Sequence, residues 1–166
     1  EDFDSWAAMG NDQWSYDKVL PFFRKSERDL DIRDDFHGTD GPIPVRRRQA
    51  GPWPDIQKAF HEACLSEGYG SVEDTNGPNP AGVGVWPSNN LDGWRMSAAL
   101  TYLNPMRHRL NLTVRGEAFV RKVLIERGKA IGVEAESGGD VFNIKADRVV
   151  LSAGAIKSPH LLMLSG

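Results

Sequence analysis

Asp147 to Gly166 reads DRVVLSAGAIKSPHLLMLSG. Val149-Val150-Leu151 is apolar without alternation, the pattern of a strand buried on both faces. It runs into Ser152-Ala153-Gly154-Ala155, small residues that let a ligand approach the backbone closely. A helix is expected next, with Ser158 as its N-cap and Pro159 at its first position. Strand end, small-residue turn and helix start together suit a nucleotide or phosphate at the carboxyl edge of a parallel sheet. The same order also serves close helix-strand packing, and these residues alone leave both readings open.

Upstream of it the pattern alternates by twos. Ala118 to Glu126, Ala130 to Ala135 and Val141 to Lys145 read as strands, with turns at Gly128 and at Gly138-Gly139. Leu112-Thr113-Val114 and Arg148 to Ser152 read as two more. Val120, Lys122, Leu124 and Glu126 fall on one face of the long strand, and Phe119, Arg121, Val123 and Ile125 on the other. The set is expected to form a β-meander.

Nearer the amino end the period is helical. A helix is expected from near Ser15 to Glu27, kinked or cut by Pro21. A second starts near Pro54 and Asp55 and stops at Gly68. There Ile56, Ala59, Phe60, Ala63 and Cys64 form one stripe, expected to be buried with Cys64 in the core. A third is expected from Ser97 to Leu103, ending before Pro105. The chain has 17 glycines and 10 prolines, and sixteen of these lie between Gly38 and Gly93, so that stretch is loop-rich.

Composition narrows the class. The 166 residues carry 20 Lys+Arg against 23 Asp+Glu, a net charge of -3, without the basic excess of a nucleic-acid binder. One cysteine cannot form an internal disulfide. No apolar run approaches the roughly 18 residues of a membrane span. Asn111-Leu112-Thr113 fits the glycosylation pattern, but no export signal supports its use. A cytoplasmic location is favoured, with peripheral membrane association left open. The start at Glu1 and the stop at Gly166 are read as those of an internal segment of a longer protein.

GAIKSPHLLMLSG resembles the second signature of the glucose-methanol-choline (GMC) family of flavin oxidoreductases. Further blocks resemble that family in the right order. They are DFDSWAAMGNDQWSYDKVLPFFRKSE from Asp2, FHGTDGPIPV from Phe36, DGWRMSAALTYLNP from Asp92 and LNLTVRGEAFVRKVLIERGKAIGVEAE from Leu110. The resemblance implies an α/β fold, α+β in the substrate part. Residues 110–166 would belong to a doubly wound FAD-binding domain with its meander, and residues 1–109 to linking and substrate-binding material. The family's GxGxxG loop has no match in this chain: Gly82-Val83-Gly84 is followed by Val85-Trp86-Pro87. Its catalytic histidine has no match either.

The resemblance implies FAD as cofactor. Val120 would contact it through its backbone, and Ala153, Gly154 and Ala155 would lie against it. The activity implied is oxidation of a small-molecule alcohol by hydride transfer to flavin, with oxygen or a quinone as acceptor. A flavin-containing hydroxynitrile lyase of the same family and a non-catalytic binding module remain alternatives.

His37, His61, His108 and His160 have no partner at metal-ligand spacing, so neither a metal site nor a catalytic histidine is expected. His37 matches a structural His-Gly pair of the family. Arg46-Arg47-Arg48 reads as a solvated loop. Trp53, Trp86 and Trp94 either pin loops to the core, which is favoured, or line a pocket.

Overall fold

The computed structural model describes residues 2–47 and 52–166. Arg48, the last of the three consecutive arginines, lies outside them. Backbone contacts divide the chain into two units, the first ending at Arg109 and the second running Leu110–Gly166.

The first unit opens with a short helix that the sequence reading missed, α1 (Asp2–Ala8), followed by a 3-10 turn at Asp12–Trp14. Aromatic rings hold this start to the next helix. Phe3 packs against Trp6 and Phe23 at centroid distances of 5.5 and 5.6 Å, and Trp6 meets Trp14 at 5.9 Å. Helix α2 (Tyr16–Ser26) starts after Ser15, as expected, but the Ser15 hydroxyl does not cap it. The helix runs through Pro21 without a break, so it forgoes only the one hydrogen bond that proline cannot donate.

Strand β1 (Glu27–Asp29) pairs in parallel with β2 (Ile43–Val45), Glu27 opposite Ile43 and Asp29 opposite Val45. The connection between them folds tightly back. Asp29 N–H donates to Gly38 O at 2.7 Å and Gly41 N–H to Glu27 O at 2.8 Å. A side chain at Gly38 would overlap the carbonyl oxygens of Arg24 and Glu27, so only glycine permits this approach.

Helix α3 (Asp55–Ser66) has the expected limits, with Gly68 at φ +88° closing it. Its apolar stripe is not buried: Ile56 and Phe60 are exposed and Cys64 is only half-buried. The expectation of a core stripe is therefore corrected. Helical period fixes which side chains share a face, but not whether another element covers it. A two-residue hairpin pair, β3 (Asn90–Leu91) and β4 (Trp94–Arg95), precedes a last helical stretch. That stretch widens to a π-turn at Ala99–Leu103 and continues as α4 (Asn104–Met106). It does not stop before Pro105, as was expected. Asn104 N–H reaches back to Ala99 O, and this wide turn accommodates a residue that cannot donate.

The second unit is built on an antiparallel meander, β5 (Phe119–Glu126), β6 (Lys129–Ser137) and β7 (Asp140–Lys145), in the order β5-β6-β7. Gly128, Gly138 and Gly139 all adopt positive φ at its two turns. Register shifts in β5 after Val120 and after Leu124 break the simple two-face alternation. Helix α5 (Gly154–Met163) packs on β5, with Val123, Ala135 and Leu161 buried. Two expected strands are not formed. Residues 112–114 are irregular, and residues 148–152 pair with no strand among the described residues. Val150 is 85% exposed there, the reverse of a strand covered on both faces. An apolar run becomes a strand only when a ladder partner satisfies its backbone. Among the described residues no helix is long and apolar enough to cross a membrane.

Candidate functional site

The expected ligand-facing residues all lie on the second unit. Val120 sits in β5 opposite Ala135 and is 36% exposed. Strand β5 is an edge of the three-stranded sheet. An edge strand presents backbone groups that no neighbouring strand pairs.

Ala153, Gly154 and Ala155 form the start of α5, and all three are exposed. The helix begins four residues before the expected Ser158 cap. Ala153 takes the N-cap position, and Ser158 and Pro159 lie inside the helix. Ser158 still serves the turn, because Ala153 N–H donates to Ser158 Oγ at 3.0 Å. Gly154 has φ +86° and carries the reversal into the helix. A side chain built there would meet no protein atom within 4 Å. Close helix-strand packing is therefore not what keeps position 154 small. The backbone conformation favours glycine, and the space beside it is open. At its other end α5 is fastened to β5. Val123 N–H donates to Ser165 Oγ at 2.8 Å, and that hydroxyl donates to Leu161 O at 2.6 Å.

The first unit holds a feature that the sequence reading missed. Arg47 is 5% exposed, not solvated as expected. Its Nη1 donates to Asp29 Oδ2 at 2.6 Å, and Nη2 and Nε donate to Asp74 Oδ1 at 2.6 and 3.0 Å. His37, 2% exposed, completes the cluster. Its Nε2 lies 2.9 Å from Asp74 Oδ2, and its Nδ1 lies 3.3 Å from both Glu27 Oε2 and Asp29 Oδ2. Asp74 is delivered by a loop anchored through Val72 N–H to Val83 O and Val83 N–H to Gly70 O. Glu27, Asp29 and His37 place ligand atoms within 4.8 Å of one another. The Arg47 guanidinium supplies a cation to Asp29 and Asp74, so these three side chains form an ion-pair network, and Glu27 joins it through His37. No sequence spacing announces it, since its partners are 18 and 27 residues from Arg47 and 37 residues apart at His37 and Asp74.

Trp53 stands edge-on to His61 at 5.1 Å. With Ile56, Phe60 and Trp86 these residues line an open apolar cavity of about 780 Å³. Trp53 and Trp86 thus line a pocket, against the favoured reading.

The chain is of mixed helix and strand content, with an antiparallel meander in its second unit. The comparisons give the family. The GMC oxidoreductase model matches residues 1–166, and the chain belongs to that family. An uncharacterized GMC-type oxidoreductase of Rhodococcus erythropolis is 41% identical over 165 residues, 99% of this chain and 33% of that protein. An oxygen-dependent choline dehydrogenase of Sinorhizobium fredii is 42% identical over 168 residues, covering 100% of this chain and 30% of that protein. Among solved structures, pyridoxine 4-oxidase from Mesorbium loti superposes with a TM-score of 0.85 at 34% identity, over 99% of this chain and 33% of that one. The chain spans about a third of the length of the curated relatives it matches.

Proposed function

We propose that this chain is a segment of an FAD-dependent oxidoreductase that acts on the CH–OH group of a small-molecule alcohol. The observation that carries the reading is the match along the whole chain to choline dehydrogenases at 40–42% identity. Residues 110–166 would belong to a doubly wound flavin domain, and residues 1–109 to linking and substrate-binding material.

When bound, FAD supplies the acceptor for a hydride leaving the substrate carbon. This chain's residues would bind and orient it. The Val120 backbone, on the edge of the meander, would meet the adenine end. Ala153, Gly154 and Ala155 would let the cofactor lie against bare backbone, and the Ser158 hydroxyl holds that turn by accepting Ala153 N–H. No residue of this chain is assigned the proton-abstracting role. Oxygen or a quinone would reoxidise the flavin.

The test uses the protein that carries this chain at the full length of its relatives. Purified protein should show a bound-flavin spectrum, and an alcohol from a panel including choline and pyridoxine should bleach it without oxygen, yielding the aldehyde or ketone. Flavin that no alcohol bleaches, together with cyanohydrin cleavage, would move the assignment to the hydroxynitrile lyases. Protein that binds no flavin would overturn the reading.

A further inference from the structure

The buried charge cluster of the first unit has no part in the proposed flavin contacts, and its hydrogen bonding constrains the state of His37. Both imidazole nitrogens face carboxylate oxygens: Nε2 faces Asp74, and Nδ1 faces Glu27 and Asp29. Ionised carboxylates only accept hydrogen bonds. A neutral imidazole would turn one lone pair toward a carboxylate, whereas an imidazolium donates on both sides. Charge balance points the same way. Arg47 pairs with Asp29 and Asp74, and a protonated His37 adds a second cation that faces both of these and Glu27. The remaining polar neighbours of His37 are satisfied through its backbone: Arg24 Nε donates to His37 O at 3.3 Å, and His37 N–H donates to Asp34 Oδ1 at 3.1 Å.

The three carboxylates come from two places in the chain. Glu27 and Asp29 lie on β1, and Asp74 opens a turn in which its own Oδ1 accepts Asn76 N–H at 3.0 Å. His37 and Asn76 also share the wall of a cavity of about 430 Å³ with Glu27 and Phe36. We propose that protonated His37 is a clasp that works beside the Arg47 fork to hold the 74–77 turn onto β1, and that its deprotonation as pH rises loosens the turn at this cavity wall. The inference does not rest on the flavin reading.

The direction of the titration agrees. Burial is the largest single influence on His37 and lowers its pKa. The Asp74 hydrogen bond and the charges of Glu27, Asp74 and Asp29 together outweigh it, so the value is raised above the ordinary 6.5. A raised histidine stabilises the fold below its unfolded value, and that contribution is lost as pH rises through the folded one.

Hydrogen-deuterium exchange of the full-length protein, corrected for intrinsic exchange, reads the clasp directly. Between about pH 6 and about pH 9, peptides covering residues 36–41 and 72–78 should lose protection by roughly threefold or more, while the β5-β6-β7 meander does not change. His37→Gln cannot carry the charge and should exchange fast at both pH values. Asp74→Asn keeps the side-chain shape and should move the wild-type transition to lower pH. Equal protection of the wild-type peptides at both pH values, or an unmoved transition in Asp74→Asn, would overturn the proposal.

Discussion

Arg47 Nη1 lies 2.6 Å from Asp29 Oδ2, in a pair whose side chains are almost completely withdrawn from water. The same guanidinium holds Asp74, so one planar fork joins β1 to a loop 45 residues further along the chain. Removing one member of a buried pair leaves the other charged without a partner. Arg47→Ala should therefore cost about 3–5 kcal/mol of stability. Arg47→Lys should recover only part of this, because an ammonium cannot reproduce the fork. Urea unfolding midpoints of the full-length protein, followed by a probe in the first unit, check both.

Acid should weaken the same cluster. Burial is the largest influence on Asp29 and on Asp74 and raises each pKa. Hydrogen bonds from Ile32 and Asp31 N–H to Asp29, from Asn76 N–H to Asp74, and from Arg47 to both outweigh it, with His37 helping at Asp74. Both values therefore fall below the ordinary 3.8. The unfolded chain takes up protons first, so this stability is fully present above about pH 3.8 and is lost as pH falls through the folded values. Asp74→Asn should flatten the stability-pH curve over that range, and an unchanged acid limb would count against the network.

The meander depends on one close approach. Gly132 in β6 has φ +155°, and a Cβ there would overlap the Ile144 carbonyl oxygen on β7. Since backbone, not a flexible side chain, is in the way, Gly132→Ala should part the β6-β7 ladder. The expected result is a loss of several kcal/mol or insoluble protein, at the severe end for a single substitution. Gly138→Ala meets no atom within 4 Å and pays only for its φ of +62°, about 1 kcal/mol. The ratio of soluble yields separates crowding from backbone strain.

Gly154 tests the cofactor edge. With no protein atom near, Gly154→Ala should cost about 1–2 kcal/mol from its positive φ alone. If FAD lies against this turn, flavin content per folded protein should fall well beyond what that destabilisation explains. Val120→Ile should leave flavin content unchanged, because the proposed contact is through backbone. Full flavin loading in Gly154→Ala would remove residues 153–155 from the proposed contacts.

Where local chemistry decides the outcome, the sequence was readable. Helix α3 begins at Asp55 and is closed by Gly68, and the meander turns fall at Gly128 and Gly138-Gly139. These depend on backbone preferences within a few residues. The block resemblance to the GMC family was also legible and holds along the whole chain. The strand expected at 148–152 failed for the opposite reason, since an apolar run cannot supply its own ladder partner.

Period, turn chemistry and family were thus present in the linear order of residues, because each is encoded by neighbours along the chain. Only the tertiary structure decided that the Ile56 and Phe60 side chains stand exposed, that Ser158 serves the α5 turn from inside the helix, and that Arg47 lies buried. The last is the clearest case. A basic run reads as solvated because charge is costly to bury. It becomes affordable only when carboxylates from positions 29 and 74 arrive at the guanidinium, and their arrival is a property of the folded chain.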